Sequence, residues 1–492
     1  MPRLLRLALL QTTIALAVGG LAWIAWLWYD SRLPATYSVN SYGTLDYGEG
    51  AVPAVHDHGL VGRISIATLR GPAGVPDARF TLTAMHARVR LSSGREIDAL
   101  TFNGRIPGPE LHVHQGDLVE VTLQNKDVGE GVTIHWHGVD VPNAEDGVAG
   151  VTQNAVAPGG SFTYRFRANQ LGTFWYHTHQ SSSKEVRRGL YGAFVIDARR
   201  PRPGLDLTLV SHTFGSTPVL NAADGLARRA IPAGTPVRIR LVNSDSTQRR
   251  FSLSGVPFRV VAIDGTDLNQ PSRLLHETVE IAAGGRTDLA YTMPRGRPVL
   301  LSEDNTAVGL VFSNDGTAAP PPPAEPGPLF DPLSYGRPVP TPFDAHSRFD
   351  RRFQLTIGHK PGFLDGRPGL QWTLNGKIYP DVPMFVVKKG DLVEMTIANH
   401  TRSVHPMHLH GHHVLVLSRN GVPASGSPSW ADTLDVKPHE SYVVAFRAGN
   451  PGLWMDHCHN LRHAADGLTM HVAYIGFSTP FRVGDTSRNR PE

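Results

Sequence analysis

The sequence predicts an all-β protein: three related Greek-key β-sandwich/barrel units behind one N-terminal transmembrane helix. Three observations predict it. Gly 50 and Pro 39 among 492 residues punctuate many short runs rich in Val, Thr and Phe, which is the texture of strands and turns. A pattern of glycine turn and alternating strand is written three times. One long run without charge lies near the N-terminus. The length suits about three domains of ~150 residues each.

Residues 1–34 read as a targeting segment. Arg3 and Arg6 precede a run from Leu7 to Tyr29 that carries no charge. At about 1.5 Å per residue, such a run crosses a hydrocarbon core of about 30 Å. Ala15-Leu16-Ala17 resembles a signal-peptide cleavage site, but the apolar run continues through LAWIAWLWY. That is too long for a signal peptide's apolar region. Trp and Tyr at its far end suit the interfacial belt, and the two Arg favour a cytoplasmic N-terminus. The expectation is an uncleaved membrane anchor with the body outside the cytoplasm, at the cell surface. Cleavage would leave the same body secreted.

Residues 35–78 carry little pattern and read as an extracytoplasmic leader. After them a motif recurs. FNGRIPGPELHVHQGDLVEVTLQN begins at Phe102 and LNGKIYPDVPMFVVKKGDLVEMTIAN at Leu374. A looser copy, VLNAADGLARRAIPAGTPVRIRLVN, begins at Val219. Each ends in a glycine turn followed by alternating apolar and polar residues, a half-buried strand. A second block closes the unit. From Pro158 to His177 and from Pro438 to His457 the spacing is 19 residues in both copies. The middle counterpart, AAGGRTDLAYTMPRGRPVLLSEDN, starts at Ala282.

The units are placed at 79–200, 201–317 and 351–480. A Pro-rich linker covers 318–350, its AAPPPPAEPGP (318–328) reading as polyproline II, and a tail covers 481–492. Repeats of about 120 residues with many short strands suggest sandwiches rather than a solenoid. The formal charge of +4 is small for this length, and no Lys/Arg block forms a nucleic-acid footprint. A single cysteine excludes an intrachain disulfide framework.

That cysteine, Cys458, stands between His457 and His459. Four His-x-His pairs fall where two units share blocks: His135/His137, His177/His179, His408/His410 and His457/His459. On a strand, residues i and i+2 face one way, so each pair aims two imidazoles together. The middle unit has Ser252 and Ser254 in place of one pair and SEDN in place of another. It keeps the scaffold without the ligands. Among 24 histidines an accidental pair is expected, and His112/His114 is read as one, because the third unit has VVKK there. Adjacent His412 and His413 fit no pair and are left aside.

If His457 and His459 face one side, Cys458 faces the other and can bind a separate metal. His463 is five residues on, within reach across a turn, and His405 stands just before the third pair. Two His and one thiolate form the blue-copper arrangement, tuned by a weak axial group. Zinc also takes Cys and His, but its sites close on four ligands and need only one or two such motifs. Ten histidines, one thiolate and two linked sites suit copper.

Together HWHG, WYHTH, HPMHLHGH and HCHNLRHAADGL resemble the multicopper oxidases, the laccase-like family of three cupredoxin domains, from residue 79 to 480. The resemblance implies four copper ions. The type 1 ion would be held by His405, Cys458 and His463, and the type 2 ion by His135 and His408. One type 3 ion would take His137, His177 and His459, and the other His179, His410 and His457. The family's axial position falls on Leu468, which cannot coordinate and implies a high potential. A register slip of two residues would put Met470 there. Asp146 matches an acidic Asp-Gly that helps protonate reduced oxygen, whereas a Glu found in some bacterial members is replaced by Ala464.

The resemblance further implies single-electron oxidation of a small reducing substrate at the His463 edge. Electrons then pass through Cys458 to His457 and His459, and O2 is reduced to two waters. Phenolic or other aromatic substrates are expected, as for a laccase. A metallo-oxidase for Cu(I), Fe(II) or Mn(II) is the alternative. Eight scattered Met without a Met-rich run weigh against Cu(I). Asp432 and Asp456 are possible members of a metal-substrate site, with a structural role preferred. A copper nitrite reductase builds no four-pair set, and a non-catalytic copper protein would not keep every ligand.

Overall fold

The computed structural model describes residues 2–50, 64–200, 202–322 and 327–492. The N-terminal helix runs Pro2–Asp30, and nothing in the rest of the fold buries its apolar segment Arg6–Asp30. It is long and apolar enough to cross a membrane. Beyond it the fold is built from strands.

Three hydrophobic cores lie in sequence order, each between two sheets. In the first, one sheet has the order Gly108–His114, Tyr191–Asp197, Gly172–His177, His135–His137. The other has Glu96–Phe102, Ala78–Arg90, Leu118–Asn125, Ser161–Arg167. Leu118–Asn125 shows the physical rule: Val119, Val121 and Leu123 alternate into the core while Glu120, Thr122 and Gln124 face outward. Parallel and antiparallel neighbours mix within each sheet, as Greek-key crossovers require. The second core repeats the arrangement with sheets of six and five strands, and the third with six and seven.

Segments without pattern in the sequence are incorporated into these bodies. Thr44–Asp46 adds a parallel strand to Pro383–Val387, and Thr36–Tyr37 pairs with Val483–Gly484. Within the Pro-rich segment, Leu333 and Tyr335 are buried in the third and second cores, and Phe343 and Phe349 in a smaller cluster. The stretch from Leu333 to Phe349 is therefore part of the folded body rather than a spacer. Polyproline composition predicts extension, but these four apolar side chains find adjacent cores to cover them.

Candidate metal centre

Strand register assembles the histidines. His135 lies opposite His177, and His408 opposite His457. Cys458 lies opposite Met407, one residue out of phase with His408, so it faces the other side of the sheet. His405 is three residues before His408, an odd separation, and shares the Cys458 side. The sulfur is 3.7 Å from His405 Nδ1. His463 comes back over the sheet on the short helix Leu461–Ala465, whose N-cap is Asn460, and its Nδ1 is 3.8 Å from the sulfur. His405 Nε2 is held by Thr401 Oγ1 at 2.9 Å, as the outer nitrogen of a metal ligand usually is, and His463 Nε2 lies 3.3 Å from the amide nitrogen of Asn460.

On the opposite face eight imidazoles converge. His135 Nε2 is 3.4 Å from His408 Nε2. His457 Nε2 is 3.4 Å from His179 Nε2 and 3.2 Å from His410 Nε2. The rings of His137, His177 and His459 lie 4.9 to 5.8 Å apart. Six of the eight turn Nδ1 outward to an oxygen. Those oxygens are the carbonyls of Asp146, Thr178, Pro491, Asp432 and Cys458 for His135, His177, His179, His408 and His457, and the Asp146 carboxylate for His410. His137 is reversed, with Nε2 on Asp432 and Thr433.

The inward nitrogens test whether a cation fits. His137 Nδ1, His177 Nε2 and both nitrogens of His459 are buried with no hydrogen-bond partner. Leaving such groups unsatisfied costs about 1–3 kcal/mol each, a cost that a bound cation would relieve. Burial holds His137, His177, His179, His408, His410 and His457 well below the usual histidine range, and His459 at about 3. They are neutral, with lone pairs facing one another. That is a ligand set for metal ions, not a proton store. Burial also pushes the Cys458 thiol up, so its thiolate needs a cation beside it.

Several features were not legible in the chain. Arg286 and Gly284 reach the cluster from the second core, where no histidine pair exists. Gly284 has φ +86°, and a Cβ there would lie 2.9 Å from the His459 ring, so only glycine fits. Asp432 is fully buried and is a hub: it meets His137, His413 and Arg286. Trp372 packs on both type 1 candidates, with ring centroids 4.9 Å from His405 and 4.6 Å from His463. Glu492 is buried 3.2 Å from His457 Nδ1, so the tail is part of the site. His412 hydrogen-bonds the Tyr474 hydroxyl and His112 pairs with Asp197, both outside the cluster. Leu468 is fully buried beside Cys458, its carbonyl accepting the Cys458 N–H at 3.1 Å. Met470 lies opposite Asp456, two pairs further along.

Sequence profiles described as "Multicopper oxidase" match residues 83–201 and 339–475. A solved multi-copper oxidase from Pseudomonas thermotolerans is 30% identical with a TM-score of 0.64, and the match covers 81% of this chain and all (100%) of that one. The chain belongs to the multicopper oxidase family.

As a multicopper oxidase it is a copper-dependent oxidoreductase, and the cupredoxin-like fold is that of the family. Multicopper oxidase MmcO of Mycobacterium tuberculosis is 26% identical over 85% of this chain and 91% of its own length. Laccase-1 of Botryotinia fuckeliana is 27% identical over 80% and 82%. Relatives of this multicopper oxidase thus include both a laccase and an oxidase without a substrate in its name.

Proposed function

We propose that the protein is a laccase-type oxidase, taking single electrons from phenolic or other aromatic reductants and using four of them to reduce O2 to two waters. One observation carries the reading. The Cys458 sulfur lies between His405 and His463, and its chain neighbours His457 and His459 belong to the cage behind the sheet.

On this reading four copper ions bind. His405, Cys458 and His463 hold one beside non-coordinating Leu468, and His135 and His408 hold another. The third and fourth rest on His137, His177 and His459, and on His179, His410 and His457. Copper supplies the chemistry that no side chain here has: accepting electrons singly and passing four to O2.

The chain's own residues do the rest. His463 presents its partly exposed ring to the reductant, and Trp372 limits the angle of approach. The covalent path from Cys458 to His457 and His459 is the short route between the two sites. Asp146 bridges the Nδ1 atoms of His135 and His410 at 3.1 and 3.0 Å. Burial raises its pKa, so it keeps a proton more readily than a surface Asp, close to chemistry that consumes four. Asp432 and Asp456 are buried away from solvent, and Asp466, beside His463, is paired with Arg462 at 2.9 Å. This arrangement favours an aromatic reductant over an aqueous metal ion.

The units 79–200, 201–317 and 351–480 act as domains, with the second buttressing the cage. The helix Pro2–Asp30 anchors the body outside the cytoplasm. The test is oxygen uptake by the copper-loaded protein with a methoxyphenol, Fe(II), Mn(II) or Cu(I). Uptake mainly with the phenol supports the reading. Uptake mainly with one metal ion replaces it with a metallo-oxidase.

A further inference from the structure

The hairpin formed by Arg351–Leu364 and Arg367–Leu374 outgrows its sheet. Its first strand pairs with Leu392–Asn399 only from Arg351 to Ile357. Among the described residues, the only strand beside Gly358 to Leu364 is the hairpin's own second strand. Seven residues at about 3.3 Å each make a two-stranded arm about 23 Å long. Such a ribbon is marginal in water and gains from a surface to rest on. Its two faces differ. Gly362 and Leu364 turn toward the body: a Cβ on Gly362 would stand 2.5 Å from Ile378 Cδ1, and one on Gly467 would stand 3.6 Å from Leu364. Side chains alternate, so Pro361 and Phe363 point the other way with their register partners Leu370 and Pro368. Phe363 is half-buried, Pro361 and Pro368 are exposed, and Leu370 is 63% exposed. A contiguous apolar patch turned outward marks a contact surface.

The tip of the arm indicates what covers that patch. Asp365 N–H donates to the Ser31 carbonyl at 3.0 Å, Gly366 N–H to Ser31 Oγ at 3.1 Å, and Leu33 N–H to Asp365 Oδ1 at 3.2 Å. Arg32 pairs with the Asp365 carboxylate at 3.5 Å. Gly366 has φ +73°, and a Cβ there would stand 3.0 Å from the Trp28 indole nitrogen. Trp28 is in the last turn of the helix Pro2–Asp30, where an indole sits at headgroup depth when the helix spans a bilayer. The turn of the arm is thus pinned at that depth. Phe363 and Pro368 are each two residues from the pinned turn, about 7 Å along the strands. The headgroup layer is itself about 5–8 Å deep. Pro361 and Pro368 put a proline in each strand, and proline opposes strand addition by a second copy of the chain.

We propose that Pro361, Phe363, Pro368 and Leu370 dock on the lipid bilayer, so that the arm lies along the extracytoplasmic membrane surface. The proposal rests on the helix being a membrane anchor and adds a second contact to it. Trp372, at the base of the arm, packs on His463. Docking therefore holds the His463 edge in a fixed orientation to the bilayer, where a single helix exit would let the body swing.

The full chain, copper-loaded and held in phosphatidylcholine nanodiscs, carries a fluorescent dye on one introduced thiol at a time. The positions are Leu370→Cys on the outward face, Lys360→Cys on the opposite face beside Pro361, and Trp23→Cys within the helix. Native Cys458 is buried and takes no dye. Quenching by nitroxide-bearing lipid is compared with quenching by aqueous iodide. The dye at Leu370 is expected to be quenched severalfold more by lipid than the dye at Lys360, with the order reversed for iodide. Because the two positions lie at one height on the arm, an affinity of the dye itself for lipid would act on both. Equal quenching at the two faces overturns the proposal. So does a Leu370 dye shielded from both quenchers, which would mark a contact with a second copy. In either case lipid quenching at Trp23 keeps the anchor. A Trp23 dye reached by iodide and not by lipid removes the anchor and the proposal together.

Discussion

Arg286 donates to both carboxylate oxygens of Asp432, at 2.7 and 2.5 Å, across the boundary between the second and third cores. Both side chains are fully buried, and Asp432 in turn accepts from His137 Nε2 of the first. One ion pair thus ties the body without ligands to the cage. Removing one partner of a buried pair leaves an uncompensated charge and costs about 3–5 kcal/mol. Arg286→Leu is therefore expected to lower the thermal midpoint and the copper content together. Arg286→Lys keeps the charge but not the fork, and should recover only part of either. Metal analysis and calorimetry of the two variants check this, and unchanged copper in Arg286→Leu would refute the buttress role.

Cys458→Ser removes the sulfur that His405 and His463 face. Blue absorption and turnover are both expected to fall to background, with copper reduced by the type 1 ion and the cage still loaded. Visible spectra with oxygen uptake decide it. A variant that stayed blue and active would overturn the assignment.

Leu468 lies against the Cys458 backbone, whereas Met470 is two pairs further along the strand. Leu468→Met adds a weak thioether and should lower the type 1 potential, since an axial group tunes such sites. Met470→Leu should leave it unchanged. Redox titration of the blue band distinguishes them, and a shift in the Met470 variant alone would move the axial position there.

Burial pushes the Cys458 thiol above its ordinary range, so the metal-free protein keeps that proton at neutral pH. Copper binds the thiolate, and loading must release the proton. Affinity is then expected to rise with pH, with about one proton released per type 1 site. Copper titration in weak buffer, followed by a pH indicator, measures it.

Burial alone raises Asp456 to about 7 from its ordinary 3.8. A carboxyl raised on folding favours the folded state below its unfolded pKa, and this is lost as pH rises through the folded value. Asp456→Asn has no charge to bury. Its thermal midpoint should gain on the wild type from about pH 4 to about pH 7 and run parallel above. A constant offset across that range would show that folding does not raise the Asp456 pKa.

The sequence by itself determined the strands, the threefold repeat and the two-sided metal constellation, because each follows from short-range periodicity. His457, Cys458 and His459 must alternate across a strand whatever surrounds them, and the odd step from His405 to His408 separates two sites by the same rule. The apolar stretch Leu7–Tyr29 likewise announces its helix by composition alone. Only the tertiary structure decided which distant groups finish the site. Arg286 is 146 residues from Asp432, and Glu492 and Trp372 reach His457 and His463 from a tail and a hairpin. No local pattern marks such residues, because their positions are fixed by how sheets pack on one another. The same packing bonds the end of the N-terminal helix to the hairpin that carries Trp372, a relation between distant parts of the chain that no window of sequence contains.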